Sequence, residues 1–122
     1  MSVTTTTLAN PFGAKIIIDT DADATAEAAT TSSTTLYQVR IDNTQNTADV
    51  YVKLHDLAVG SVTVGTTAPN HVFFCPSGTK LSYVMASGLA FGTAISMHAS
   101  TGIDTQSTTG PTNDVEVRLH TS

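Results

Sequence analysis

Residues 63–101, TVGTTAPNHVFFCPSGTKLSYVMASGLAFGTAISMHAST, hold most of the bulky apolar side chains of the chain and most of its turn residues, so any fold must be built outward from them. Val72, Phe73, Phe74 and Cys75 form an apolar run closed by Pro69-Asn70 on one side and Pro76-Ser77-Gly78 on the other, the pattern of a short buried strand between punctuators. Leu81 and Tyr83 then alternate with Ser82. Beyond Ser87-Gly88, Leu89 and Phe91 flank Ala90, and Ile95, Met97 and Ala99 alternate with Ser96, His98 and Ser100. A period of two, broken by Gly and Pro, predicts a run of short strands joined by turns.

The remaining chain extends this reading. Residues 1–13 contain a Thr run and Asn10-Pro11 without periodicity, and read as an extended N-terminal arm. Residues 14–19 form a strand with Ile16 and Ile18 on one face and Ile17 on the other. Residues 20–33 are poor in large apolar side chains and read as a long loop or a short Ala-based turn. Tyr37, Val39 and Ile41 share one face of the next strand, with Leu36, Gln38, Arg40 and Asp42 on the other. Residues 49–56 answer it across the Thr44-Gln45-Asn46-Thr47 turn, placing Val50, Val52 and Leu54 inward and Tyr51, Lys53 and His55 outward, as in an antiparallel hairpin. Val62 and Val64 read as a brief strand, residues 102–112 as a polar loop, and residues 113–120 as a closing strand with Val115, Val117 and Leu119 inward.

About eight short strands with frequent turns predict an all-β protein: a single antiparallel β-sandwich over residues 14–122, jelly-roll-like in connectivity, preceded by the arm at 1–13. Ile16, Val39, Val52, Phe74, Leu81, Phe91, Ile95, Val117 and Leu119 are the expected core. A chain of 122 residues suits one such domain. The scarcity of Glu, Lys, Leu and Arg beside abundant Thr, Ala, Ser and Val argues against long helices.

Composition also removes several functions. Net charge is −5, and the five Lys and Arg residues are scattered singly, so no basic row is available for phosphates and nucleic acid is not expected as a partner. No apolar run reaches membrane-spanning length, and the opening MSVTTTT lacks the basic and apolar regions of a secretory leader, so no membrane partner is expected and synthesis in the cytoplasm of the producing cell is. The lone Cys75 has no intrachain disulfide partner and sits in an apolar run, as a small buried hydrophobe does.

Motifs that carry chemistry are sparse. Asp19, Asp21 and Asp23 have the alternating spacing that opens a calcium loop, but Ala24 stands where that loop needs Gly and Thr30 where it needs a bidentate Glu. His55, His71, His98 and His120 fall on separate predicted strands without metal-ligand spacing. There is no G-x-S-x-G elbow and no Gly-rich phosphate cradle. No catalytic residue, cofactor or metal is therefore expected.

The segments NTQNTADVYVKLHD, VGTTAPNHVFFCPSG, GLAFGTAISMHAST and GPTNDVEV together resemble small virion structural proteins of tailed bacteriophages, over about two-thirds of the chain from Ile41 onward. The resemblance implies a non-enzymatic β-sandwich subunit of the virion: a head decoration or cement protein that binds the major capsid protein or other virion proteins and assembles as a homo-oligomer, typically a trimer. A tail, connector or fibre-associated protein is the alternative within that class, and a cell-surface glycan-binding module the alternative outside it. Independently of the resemblance, a Thr-rich extended arm suits addition to a neighbour's sheet edge through backbone hydrogen bonds. Thr4, Thr5, Thr6, Thr7, Leu8, Pro11 and Phe12 of the arm, with Asp21, Asp23 and Glu27 of the acidic loop, are the expected partner-facing residues.

Overall fold

The computed structural model describes residues 3–7 and 14–122. They contain nine strands, β1 Val3–Thr7, β2 Lys15–Asp19, β3 Glu27–Ala28, β4 Thr34–Asp42, β5 Val50–His55, β6 His71–Cys75, β7 Lys80–Phe91, β8 Ser96–Ser100 and β9 Glu116–Thr121, and one 3-10 turn at Val59–Ser61. Every pairing is antiparallel, and the strands form two sheets of order β1-β2-β9-β4-β7 and β3-β8-β5-β6. The pairs nest: β5 with β6, β4 with β7, β3 with β8, and β2 with β9, as if one long hairpin had been rolled until β4 met β9 and β5 met β8.

The two sheets close face to face on an apolar core. Ile17, Leu36, Val39, Ile41, Val117 and Leu119 from the five-stranded sheet meet Val50, Val52, Leu54, Cys75, Met97 and Ala99 from the four-stranded sheet, all buried. Each large side chain removed from water this way contributes roughly 1.5–3 kcal/mol before the entropy of ordering is charged against it. Phe91 and Ile95 are buried as expected, and Leu81 packs against the core half-buried. Cys75 is a buried free thiol, as expected.

Several local readings need correction. Ile17, rather than Ile16, faces the core, because β2 is buried by the opposite sheet on the side that also carries Asp19. Phe74 is exposed; the inward parity of β6 belongs to His71, Phe73 and Cys75. Leu36 shares the inner side with Val39 and Ile41, since Tyr37 is an extra residue against β9, where Leu36 pairs Thr121 and Gln38 pairs His120. One bulged residue resets the period-two count. The same irregularity faces β7, where Val84 pairs Gln38 and Leu89 pairs Leu36. The expected turn at Ser87-Gly88 is therefore a bulge inside one twelve-residue strand. Residues 43–49 do not close a hairpin: β4 and β5 lie in different sheets and present their apolar faces to each other across the core, which produces the same polar-out, apolar-in pattern. Val62 is the extended residue that closes the 3-10 segment, and Val64 lies in the turn that follows.

Of residues 1–13, positions 3–7 are extended and pair with β2 in register from Val3 with Asp19 to Thr7 with Lys15. Residues 20–33 are not free of structure either. Glu27 and Ala28 pair with Met97 and Ser96 on β8, while Ala99 N donates to Asp23 O (2.6 Å) and the amides of Ala29 and Thr30 donate to Ile95 O (2.8 and 3.1 Å).

Candidate functional site

The outer face of the four-stranded sheet departs furthest from a simple sandwich. Tyr51, Lys53 and His55 on β5 oppose Ser100, His98 and Ser96 on β8, and these side chains point away from the core. Solvent would be the ordinary environment for such a polar row, as the alternation implied. Instead Lys53, His55, Ser96 and Ser100 have no exposed surface and His98 has only 3 %. The expectation that Lys53 and His55 are solvent-facing is thus overturned: they lie on the outward side, beneath a second layer made of loops.

Two segments form that layer, residues 56–70 and 101–115. Ser96 Oγ donates to Leu57 O (2.7 Å) in the first, while Ser100 Oγ donates to Gly102 O (2.7 Å) and Lys53 Nζ to Asp104 O (2.6 Å) in the second. The second segment is held to itself by Thr101 N donating to Thr109 O (2.9 Å). The segments also meet each other. A Cβ on Gly65, whose φ is +91°, would stand 2.7 Å from Thr108 Cγ2, so the covering loops interlock at a position that only glycine fits.

Beneath this cover the two imidazoles stack, with ring centroids 5.2 Å apart, planes 23° from parallel and Nε2 atoms 3.1 Å apart. At that distance one Nε2–H donates to the other Nε2, which requires the accepting ring to be neutral. Burial holds His98 down to about 4, helped by the charges of His55 and Lys53. Burial likewise lowers His55, with the Ala68 backbone offsetting it and Lys53 adding to it, and burial lowers Lys53 against the opposing pull of Asp104. The histidines had shown no metal-ligand spacing in sequence; across strands, two of them become nearest neighbours. Among the described residues no three His, Cys, Asp or Glu side chains are grouped to hold a metal ion.

The expected partner-facing residues divide into two places. Thr4, Thr5, Thr6 and Thr7 lie exposed on β1, which among the described residues pairs with β2 alone and forms an edge of the five-stranded sheet. Leu8, Pro11 and Phe12 lie outside the described residues. Thr5, Lys15 and Ile17 line one side of a cavity of about 310 Å3, and residues 29–32 line the other; it is the gap where the two-residue β3 is too short to cover β1.

Asp21, Asp23 and Glu27 gather instead around Asp19, which is fully buried. Asp19 Oδ1 accepts from Asp21 N (3.1 Å), whereas among the described residues its Oδ2 has no hydrogen-bond partner. Burial pushes Asp19 up to about 6 despite the Asp21 N–H that lowers it, with Glu27 and the Asp21 carboxylate adding to the rise. Glu27 is raised by burial, with Asp21 and Asp23 contributing. Sequence spacing therefore identified a true acidic neighbourhood, but burial of its first member could not be inferred from that spacing.

Two structural anchors escaped sequence reasoning. Asp56 accepts from the amides of Gly92, Thr93 and Ala94 (3.0, 2.8 and 3.3 Å) and so ties the end of β5 to the turn before β8. Buried Asn46 accepts from Asn113 N (2.8 Å) and donates through Nδ2 to Asn43 Oδ1 (3.0 Å) and Asn113 O (3.1 Å). Each lies in a turn where Asp or Asn is ordinary by local chemistry alone.

Comparison with family models, with curated proteins and with solved structures finds no match to this chain. Among the described residues no helix is long and apolar enough to cross a membrane.

Proposed function

We propose that the protein is a non-enzymatic structural subunit of a bacteriophage virion, a head decoration or cement protein that joins neighbouring shell subunits. The nested pairing of β2 to β9 is the connectivity we read as a jelly roll, an architecture that recurs in capsid proteins. The observation that carries the proposal is the edge of β1, which among the described residues pairs with β2 alone. It offers Val3–Thr7 with four exposed Thr residues and none of the charges, prolines or bulges that normally blunt an exposed edge. Such an edge accepts a strand from a partner by backbone pairing, and repetition on a shell lattice converts weak contacts into firm retention.

The test is to introduce Thr4→Lys together with Thr6→Lys, which leaves Val3 packed against the core, and to measure binding to shells that lack the protein. Retained folding with at least about tenfold weaker binding supports the reading. Wild-type protein that fails to bind shells, or a variant that binds equally well, removes it.

One observation favours a glycan-binding reading: Tyr51 and Phe74 form an aromatic pair (centroids 5.2 Å) on the outer face of the four-stranded sheet. Tyr83 does not share that face. It meets Phe73 edge to face, and its hydroxyl donates to Phe74 O (2.5 Å). Glycan binding lost in Tyr51→Ala and kept in Tyr83→Phe would favour this second reading.

A further inference from the structure

The outer face of the four-stranded sheet holds three groups able to carry positive charge, Lys53, His55 and His98, and its cover is made of loops rather than of a third sheet. We infer that residues 56–70 and 101–115 form an acid-released cover, which lifts from this face when both imidazoles of the His55–His98 pair are protonated.

The bond between the rings persists while one of the two Nε2 atoms is unprotonated, so a single added proton can enter at an Nδ1 and leave it in place. Protonation of both rings places two N–H groups 3.1 Å apart, turning the hydrogen bond into a repulsion between like charges inside a site that excludes water. The surroundings offer little compensation beyond the Ala68 backbone, which favours the charged form of His55. On β5, Lys53 adds a like charge beside the pair, and Tyr51 stands at the far end of the row. On β6 the residues sharing this face are Val72 and Phe74, since Val72 pairs Lys53 and Phe74 pairs Tyr51; His71 points to the core side, edge-on to Phe91. On β3, Glu27 opposes Met97 and sits with the acidic group around Asp19 rather than on this face. Residues 57–69 contain no ionisable side chain, and Asp56 before them is engaged with the amides of residues 92–94. Residues 101–115 contain only Asp104 and Asp114; Asp104 is exposed and meets Lys53 through its backbone carbonyl.

Relief by opening is structurally inexpensive for the same reason. The strand ladders do not run through the cover, which is anchored at its ends, where Asp56 accepts from the amides of residues 92–94, Asn70 N donates to Leu54 O, Asn113 bonds Asn46 and Val115 enters the core. Over its middle it meets this face through the single bonds of Ser96, Ser100 and Lys53. Local release hydrates both imidazoles and leaves the two-sheet core packed. The outcome is a face that is covered at neutral pH and is open, cationic and flanked by Tyr51 and Phe74 in acid.

Amide hydrogen exchange on the full chain at pH 7 and pH 4.5, corrected for the intrinsic pH dependence of exchange, tests this. Protection of the amides of Thr66, Thr67, Thr101 and Ser107 should fall at least about tenfold more than that of β4 and β9 amides, since each tenfold corresponds to one unit of proton affinity. In His55→Gln with His98→Gln the extra loss should vanish. The inference is overturned if the cover keeps its protection at pH 4.5, if β4 and β9 lose theirs in parallel, or if the double variant responds like wild type. Should the double variant not fold, histidine NMR titration of the wild type decides. Two imidazoles whose protonation coincides with loss of cover resonances support the proposal, and titration with an unchanged cover refutes it.

Discussion

Gly88 shows how much one residue can decide. Its φ is +80°, and a Cβ there would come within 2.4 Å of Thr35 Cγ2 and 3.1 Å of Tyr37 Cε1. Both neighbours belong to the stretch of β4 where Tyr37 is bulged, so the glycine lets β7 fold around that ring without ending the strand. Gly88→Ala combines left-handed backbone strain with a clash against a β-branched side chain. It should lower stability by about 2–3 kcal/mol, read as a lower urea midpoint with an unchanged m value. A variant within about 0.5 kcal/mol of wild type would show that the strand can straighten there.

Elements are joined here mainly by polar groups at the corners. The link from β4 to β5 crosses from one sheet to the other and needs a brace, which Asn43 and Asn46 supply. Asn43 Nδ2 lies within hydrogen-bond reach of the carbonyls of Ala48, Cys75 and Pro76 (3.0, 3.3 and 3.3 Å), while Asn46 reaches residue 113 just before β9. One side chain thereby fixes the crossover relative to the closing strand. Asn46→Ala removes the partner of Asn43 Oδ1, which is buried, and of Asn113 N, which is part-buried, so a loss of about 1–3 kcal/mol is expected in chemical denaturation. Asn46→Asp keeps the acceptor for Asn113 N and should recover part of the loss at neutral pH. Equal losses for the two variants would show that the amide donor, rather than this acceptor, braces the corner.

For the whole molecule the buried titratable groups set an unusual balance. His98 is held down to about 4 from 6.5, so folding loses stability as pH falls through that interval, because the unfolded chain takes the proton first. Asp19 is raised to about 6 from 3.8, so the folded state takes its proton first and gains stability over nearly the same interval. Each effect is about 3 kcal/mol and the signs are opposite. His55 shifts in the direction of the loss and Glu27 in the direction of the gain. Wild-type stability should therefore stay nearly level from pH 6.5 to 4. Asp19→Asn should decline toward acid and His98→Gln should rise, both followed by urea midpoints across the range. Parallel curves for all three proteins would show that the two groups do not oppose each other.

What the sequence determined by itself is the all-β character and most of the inward pattern. The alternation of Val50, Val52 and Leu54 and that of Val117 and Leu119 are consequences of a period-two backbone and of apolar burial, both of which act locally. Tertiary structure decided the rest. Tyr37 reversed the parity around Leu36 because a bulge is set by two neighbouring strands at once. The hairpin expected for β4 and β5 became a crossover because apolar faces meet equally well side by side in one sheet or face to face between two. His55, His98 and Lys53 gave no local sign of burial, since polar residues on the outer side of a strand meet water unless something distant in sequence covers them. Here residues 56–70 and 101–115 do so, and a cover formed by long-range contacts leaves no period in the strand beneath it.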